Sequence, residues 1–223
     1  MDSHKIEETR INNRLPIARE GIPFIALGLL ITIIFVSFGS FYIGIFFLIL
    51  TLFITYFFRD PERGNDVQEN AVLTPADGKV LNIWELDGNN PLGGPAKKIS
   101  IFMSIFNVHV NRAPSNGRIL SIAYHPGKFF SANLEKASEQ NESNSITMET
   151  GKGEKIVVVQ IAGLIARRIV CWIKEKEYVK AGQRFGLIRF GSRLDVFLPA
   201  ASEVIVRSGD RVKAGETIIG YLK

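Results

Sequence analysis

The first third of the chain is dominated by one long apolar stretch. Residues 21–58 include no charged side chain and consist largely of Ile, Leu, Phe and Val. One helix needs about 20 residues to cross a bilayer, so the stretch is long enough for two. A Ser-Phe-Gly-Ser sequence at 37–40 interrupts it. We therefore predict a transmembrane helical hairpin with helices at 22–38 and 41–58; the alternatives are a re-entrant hairpin and a buried hairpin of a soluble protein.

Basic residues flank this stretch on both sides. They are Lys5, Arg10, Arg14 and Arg19 before it, and Arg59 and Arg63 after it. Positive charge collects on the cytoplasmic side of membrane helices, so the pattern predicts a hairpin with both ends in the cytoplasm. The predicted organisation is a cytoplasmic segment at 1–20, the membrane hairpin at 21–58, and a domain at 59–223 on the cytoplasmic face of the cell membrane. The stretch is too long for a cleaved signal peptide.

After residue 69 the pattern changes to short apolar runs separated by Gly, Pro, Asn and Asp. Runs of about four to eight residues with such boundaries are typical of strands. The predicted strands lie at 98–106, 119–124, 155–161, 169–174, 185–190 and 194–198. Residues 130–155 are mostly polar and are predicted to form a solvated surface loop or a mobile loop over a site. The fold class is therefore β-rich α+β, with a compact β-sandwich-like domain behind the helical hairpin.

A Val-Lys-Ala-Gly sequence occurs twice, within 178–186 and 211–220, at an offset of 33 residues. The repeat predicts two related hairpins in the sandwich. Lipoyl and biotinyl carrier domains have similar turns, which suggests a second interpretation, a membrane-tethered adaptor or carrier without catalysis. A carrier needs an exposed lysine at the tip of its hairpin, whereas Lys180 and Lys213 precede the turn glycines.

Charge and cysteine content narrow the function classes. The net charge of +5 suits an anionic lipid surface or nucleic acid. The basic residues are scattered and form no nucleic-acid motif, so we expect no nucleic-acid partner. Cys171 is the only cysteine, which excludes an intrachain disulfide, and no Cys/His cluster has zinc spacing. Candidate contacts to phosphate or a lipid surface are Arg59, Arg63, Lys128, Arg167 and Arg168.

A Gly191-Ser192 pair lies between two predicted strands. Glycine leaves its carbonyl unshielded and allows a strained backbone, so the Ser192 hydroxyl could attack the preceding carbonyl carbon. The peptide would become an ester, elimination would split the chain, and the new terminal residue would hydrolyse to a pyruvoyl group and ammonia. Such a reaction needs a base for the hydroxyl and donors for the oxyanion.

Seven sequence blocks, in order along the chain, resemble those of a known family. They are FFRDPER at 57–63, TPADGKV at 74–80, SIFNVHVNRAP at 104–114, YHPGKF at 124–129, ASEQNE at 137–142, QIAG with ARRIV at 160–170, and FGS at 190–192. With the apolar hairpin, they span nearly the whole chain. The chain thus resembles the short form of the pyruvoyl-dependent phosphatidylserine decarboxylase proenzymes, whose close relatives include decarboxylases of archaeal ether lipids.

The resemblance implies cleavage between Gly191 and Ser192 into a large β chain (1–191) and a small α chain (192–223), which stay together as a heterodimer. Ser192 would become a covalent pyruvoyl cofactor, and neither pyridoxal phosphate nor a metal would be needed. The pyruvoyl carbonyl would form a Schiff base with phosphatidylserine in the membrane, and loss of CO₂ would give phosphatidylethanolamine. An archaetidylserine substrate, an inactive relative and a homo-oligomer are alternatives that stay open.

The resemblance also assigns Asp77, His109 and His125 as candidate catalytic partners. In the family the matching Asp orients the histidine that activates the serine, as in a catalytic triad. His109 is the expected acid that protonates the product carbon. Longer family members have a second histidine three residues further on, where this chain has Arg112. Whether His109 or His125 is the base for cleavage is left open by the sequence.

Overall fold

The computed structural model describes residues 15–64, 68–131, 140–164, 168–189 and 191–223. After a 3-10 turn at Arg19–Gly21, the apolar stretch forms α1 (Ile22–Ser37) and α2 (Phe41–Phe57). Gly39 has a left-handed φ of 76° in the turn between them. The predicted pair of helices is therefore confirmed to within one residue at each end.

The two helices pack against each other and leave most of their apolar side chains exposed. Gly28 lies directly against the Thr51 hydroxyl, and the ring of Phe35 stacks on Phe47 at 5.5 Å. No residue of α1 and only three residues of α2 are buried, which excludes a hairpin enclosed in a soluble core. By length and composition the helix at Arg19–Ser37 could cross a membrane, whereas α2 has 17 residues and is shorter. Crossing by the whole hairpin stays a prediction.

The remainder of the described chain forms antiparallel sheets. One sheet has eight strands in the order β13-β2-β3-β11-β7-β6-β5-β9, and two sheets have three strands each, in the orders β1-β14-β12 and β4-β10-β8. In chain order the strands are β1 (Ala71–Leu73), β2 (Gly78–Leu86), β3 (Ala96–Met103), β4 (Val110–Arg112), β5 (Gly117–His125), β6 (Ser143–Glu149), β7 (Lys155–Ile161), β8 (Ile169–Cys171), β9 (Tyr178–Val179), β10 (Arg184–Ile188), β11 (Ser192–Pro199), β12 (Glu203–Val204), β13 (Arg211–Val212) and β14 (Ile218–Tyr221). A β-rich fold is confirmed.

The two faces of β11 have different environments because side chains alternate along a strand. Leu194, Val196 and Leu198 belong to the main hydrophobic core, to which all three sheets contribute. The residues between them line a cavity of about 700 Å³ on the opposite face of the eight-stranded sheet, which we call the outer groove. The cleavage candidate, Ser192, is in phase with the core-facing residues.

The polar segment at 130–155 is not a loop throughout. Its second half forms β6 (Ser143–Glu149), so the loop prediction is wrong there. Ile146 and Met148 enter the core, while the serines and threonine that alternate with them line the outer groove. A half-polar strand was missed because its polar face covers a concave surface rather than bulk solvent. The part of the loop prediction at 132–139 lies outside the described residues.

The repeated Val-Lys-Ala-Gly sequences form similar turns. Gly182 and Gly215 have left-handed φ values of 73° and 70°, a conformation that favours glycine. The two turns face each other, since a Cβ on Gly215 would lie 3.3 Å from the Cα of Gly182. The strands on either side of each turn join different sheets: β9 pairs with β5 and β10 with β4, while β13 pairs with β2 and β14 with β1. The prediction of hairpins is therefore wrong, although the turns are related.

Candidate active site

Gly191 and Ser192 lie where the chain enters the central strand β11. Gly191 has a φ of 65°, and, its two chain neighbours aside, no atom of the described residues lies within 4 Å of where its Cβ would be. The left-handed conformation rather than space therefore favours glycine, since it costs an L side chain about 1–2 kcal/mol. Ser192 pairs with Met103 of β3 and is fully buried. Its hydroxyl has no hydrogen-bond partner among the described residues.

His109 is fully buried immediately before β4. Its Nδ1 lies 2.9 Å from the carbonyl oxygen of Asn107. A carbonyl only accepts, so Nδ1 must carry the proton and the lone pair of the neutral ring lies on Nε2. Burial lowers the pKa of His109 from 6.5 to about 4, which keeps the imidazole neutral at physiological pH. Within the described part of the chain, Nε2 has no hydrogen-bond partner.

The Ser192 hydroxyl and His109 Nε2 have complementary hydrogen-bonding capacities. One is a buried donor without an acceptor, and the other is a buried acceptor without a donor. Leaving such a group unpaired costs about 1–3 kcal/mol, and in native structures an unpaired buried group marks a bound water, an ion or a functional role. Met103 connects the two regions, because Ser192 pairs with it across the strands and its sulfur accepts a hydrogen bond from Asn111 at 3.7 Å. Asn111 is only two residues beyond His109.

His125 lies on the other side of the sheet. It is exposed at the end of β5 and aligns across the strands with Ser143, Ile161 and Arg193. Aligned residues of neighbouring strands share a face, and all four line the outer groove. Ser192 directly precedes Arg193, so its side chain points to the opposite face. The geometry favours His109 over His125 as the partner of the Ser192 hydroxyl.

Asp77 has different partners from those that a triad requires. Its carboxylate accepts hydrogen bonds from Arg63 at 2.6 and 3.0 Å and from the backbone N–H of Ala214 at 2.8 Å. Within the described residues no hydrogen bond joins it to His109, although its charge raises the pKa of that histidine slightly against the larger effect of burial. The sequence indicated Arg63 as a basic surface residue, whereas its guanidinium is buried against Asp77.

A chain of buried amides next to Ser192 was missed by sequence reasoning. Asn144 donates to Gln160 at 3.0 Å, and Gln160 donates to Asn111 at 2.8 Å. Gln160 is opposite Leu194 in the sheet, so it lies on the same face as Ser192. A lone glutamine within an apolar strand was the available signal, since polar groups in cores are kept for specific hydrogen bonds.

The other basic candidates are spread over the surface. Arg59 stacks on the Tyr56 ring at 3.8 Å and donates to the Phe106 carbonyl at 2.8 Å. Lys128 and Arg168 are exposed, and Arg167 lies outside the described residues. Arg59 directly follows the C-cap residue of α2.

We expect Asp77→Asn to destabilise the protein by about 3 kcal/mol, because the buried Arg63 guanidinium loses its close, buried partner and keeps only the longer contact, at 3.4 Å, to the partly exposed carboxylate of Glu216. Urea unfolding would measure the loss. The double variant Arg63→Met/Asp77→Asn should regain most of the lost stability. It should regain self-cleavage only if the sole role of Asp77 is to neutralise Arg63. Glu69→Gln is the matched control, since its ion pair with Lys152 is solvent-exposed. Equal losses for Asp77→Asn and Glu69→Gln would contradict the buried ion pair.

Comparison with known proteins identifies the family of the chain. A family model described as phosphatidylserine decarboxylase matches residues 50–220. Phosphatidylserine decarboxylase proenzyme of Syntrophus aciditrophicus is 53% identical over 205 residues, covering 92% of this chain and 96% of its own. The proenzyme of Geobacter metallireducens is 50% identical over 216 residues, covering 95% and 99%, and that of Rickettsia akari is 50% identical over 206 residues, covering 91% and 89%. The chain therefore belongs to the phosphatidylserine decarboxylase family.

Proposed function

We propose that the chain is a proenzyme that cuts itself between Gly191 and Ser192 and then decarboxylates phosphatidylserine to phosphatidylethanolamine and CO₂. The observation that carries the proposal is that two buried atoms, the Ser192 hydroxyl and His109 Nε2, have no hydrogen-bond partner among the residues that the structure describes. They supply the nucleophile and the base that self-cleavage needs. The names of the matched relatives support phosphatidylserine as the substrate and give no support to an adaptor without catalysis.

The cleavage steps follow from these residues. His109 Nε2 accepts the hydroxyl proton while Ser192 Oγ bonds to the Gly191 carbonyl carbon. The C–N bond between the two residues then breaks as the His109 imidazolium returns its proton to the nitrogen, which leaves an ester and a free amine on residue 192. Loss of the α-proton of residue 192 breaks its Cβ–Oγ bond and releases Gly191 as a carboxylate. One water then replaces the nitrogen, which leaves as ammonia, and a pyruvoyl group remains at the start of the small chain.

The two chains are expected to stay together after cleavage. Strands β11 to β14 belong to the small chain (192–223), and β11 lies between β3 and β7 of the large chain, with hydrogen bonds to both. In the same way β13 pairs with β2, and β14 pairs with β1. Cutting one peptide bond leaves all of these ladders intact, so a heterodimer is the expected product.

The residues at the cleavage site suit formation of a pyruvoyl group, because a left-handed glycine directly precedes a buried hydroxyl that no described residue engages in a hydrogen bond. Such a group supplies the electron sink that stabilises the carbanion left when CO₂ departs. At neutral pH the unprotonated His109 Nε2 can accept a proton from the substrate ammonium. The resulting imidazolium is more acidic than one in water because burial disfavours its charge, so it can return the proton to the carbon that has lost CO₂.

The hairpin is proposed to hold the enzyme at the cytoplasmic face of the cell membrane, where its substrate lies. Several of its side chains are large, apolar and highly exposed, which is unusual for a protein surface in water. Examples are Phe38 at 84% exposure and Ile33 at 61%. Arg59 follows the hairpin directly, where a basic residue meets lipid phosphates.

Intact mass spectrometry of the denatured protein tests the cleavage, and conversion of phosphatidylserine in mixed micelles tests the activity. We expect two species, one with the mass of residues 192–223 whose first residue is pyruvoyl instead of serine. Release of CO₂ from carboxyl-labelled phosphatidylserine should accompany the cleaved form. A folded chain that remains whole would refute self-cleavage, and a cleaved chain that releases no CO₂ would refute the substrate.

A further inference from the structure

The last turn of the apolar hairpin reaches into the candidate active site. The ring of Phe57, the final residue of α2, lies over the imidazole of His109 with 4.1 Å between ring centroids and 35° between planes. Phe57 is 1% exposed and also meets Phe58 edge-on at 5.0 Å. Together with Val108 and Trp172 it belongs to a second hydrophobic cluster, separate from the main core. The hairpin thus supplies one wall of the histidine's pocket.

A buried carboxylate fixes the position of that wall. Asp60, three residues after Phe57, is 1% exposed and accepts hydrogen bonds from Arg184 at 2.8–2.9 Å and from Arg112 at 3.4 Å. The two arginines are paired opposite each other in β10 and β4. Because β4 begins immediately after His109, Asp60 ties the end of α2 to the strand that carries the histidine.

The other end of the hairpin is tied to the same point. The backbone N–H of Asp60 donates to Pro16 at 2.7 Å, and that of Ala18 donates to Phe58 at 2.7 Å. The indole of Trp172 donates to Glu20 at 3.2 Å. The segments that enter and leave the hairpin therefore form one unit against the β4-β10-β8 sheet.

We infer that Phe57 and Asp60 are positioning residues for the reaction: Phe57 sets and shields the His109 ring, and Asp60 holds Phe57 in place. On this reading, which rests on the proposed function, the hairpin is part of the catalytic apparatus as well as a membrane anchor. A segment that only anchors the protein needs to be long and apolar. It does not need a phenyl ring stacked on the base or a buried carboxylate that binds two arginines.

The shielding has a measurable consequence for the histidine. Burial is the largest cause of its lowered pKa; the positive charge of Arg59 lowers it further, while the Asn107 carbonyl and the charge of Asp77 raise it. Phe57→Ala removes an apolar ring from the imidazole without altering any of these charged or hydrogen-bonding groups. Water would then reach the ring and stabilise the imidazolium.

The first test is an NMR titration of the histidines in the full-length chain in detergent micelles. All samples carry Ser192→Ala, so that the chain stays whole and the readout does not depend on activity, and His109→Gln identifies the signal. We expect Phe57→Ala to raise the His109 midpoint by about one pH unit or more towards its solution value. Phe53→Ala, a ring one turn earlier in α2 that contacts Phe106, should leave the midpoint unchanged.

The second test measures the rate of self-cleavage in chains that retain Ser192. We expect Phe57→Ala and Asp60→Asn to slow cleavage about 10- to 100-fold at neutral pH, because the base is misplaced. Glu62→Gln is the control for Asp60→Asn, since Glu62 also bonds to Arg184 but is solvent-exposed. If Phe57→Ala does not fold, Phe57→Leu replaces it, with a smaller expected shift in both measurements.

The outcomes separate this inference from the proposed function. An unchanged His109 midpoint in a folded Phe57 variant overturns it, as do equal shifts in the Phe57 and Phe53 variants. A parent chain that never cleaves refutes the proposed function, while the titration still decides whether Phe57 controls the imidazole. Normal cleavage in both Phe57→Ala and Asp60→Asn would show that the hairpin is an anchor only.

Discussion

Ser192→Ala should give a single uncleaved chain with no decarboxylase activity, and it should be at least as stable as the wild-type precursor. Without the hydroxyl no ester can form, so the peptide bond to Gly191 stays intact and no pyruvoyl group is made. The stability follows from the burial of an unpaired hydroxyl, whose removal relieves about 1 kcal/mol or more of desolvation cost. Intact mass spectrometry and thermal unfolding measure the two effects.

A second buried serine provides the matched control. Ser202 is 1% exposed, and its hydroxyl also has no hydrogen-bond partner among the described residues. It follows the C-terminal end of β11, whereas Ser192 is the first residue of that strand. We expect Ser202→Ala to cleave at the normal rate. Cleavage of Ser192→Ala at the same bond would assign the nucleophile to another group, and loss of cleavage in Ser202→Ala would indicate a general sensitivity of the fold.

Strands and helices with continuous apolar sequences could be predicted from the sequence. The stretch from 21 to 58 predicted both α1 and α2, and β7 (Lys155–Ile161) was predicted at its observed bounds. The secondary structure of such segments is determined locally, because a run of apolar side chains forms either a helix or a strand, and its length distinguishes the two. Their agreement with the structure follows from that local control.

The elements that were missed depend on distant partners. β2 (Gly78–Leu86) carries Lys, Asn and Glu among its apolar residues, and it becomes a strand by pairing with β3 on one side and β13 on the other. β6 has a polar face that only the outer groove makes favourable. The path of the two Val-Lys-Ala-Gly turns from one sheet to another likewise depends on tertiary contacts.

The candidate site could be predicted only in part, because some of its features are local in sequence and others depend on the fold. Gly191 and Ser192 stand out because both chemical requirements, a permissive backbone and a nucleophile, are adjacent in sequence. The choice between His109 and His125 could not be predicted from the sequence, since it depends on which face of the sheet each side chain occupies. The contact between Phe57 and His109 spans 52 positions and joins a membrane element to a strand, so no local pattern indicates it.

Replacing His109 should have the next largest effect on function. With His109→Ala we expect self-cleavage to slow by about 10²- to 10⁴-fold, the usual contribution of a general base. Any His109→Ala chain that does cleave should decarboxylate phosphatidylserine more slowly than the wild type, because the missing Nε2 is also proposed to carry the proton to the product carbon. His125→Ala faces the outer groove and should cleave normally. Timed intact-mass measurements would compare the two, and a larger loss for His125→Ala would reverse the assignment.

His109 should also make the precursor less stable in mild acid. In the unfolded chain its pKa is about 6.5, whereas burial lowers it to about 4 in the folded state. Between these values the unfolded state binds more protons, so stability falls as the pH falls through this window and levels off below pH 4. The full effect is about 3 kcal/mol.

His109→Gln removes this titration and should flatten that part of the stability profile. Both profiles are best measured in the Ser192→Ala background, in detergent, by thermal unfolding from pH 7 to pH 4, so that each sample is a single chain. Carboxylates that do not interact with residue 109 affect both proteins equally and cancel in the difference. A difference that does not change with pH would mean that the imidazole is already solvated in the folded protein, and the base proposed for Ser192 would then lose the burial that keeps it neutral.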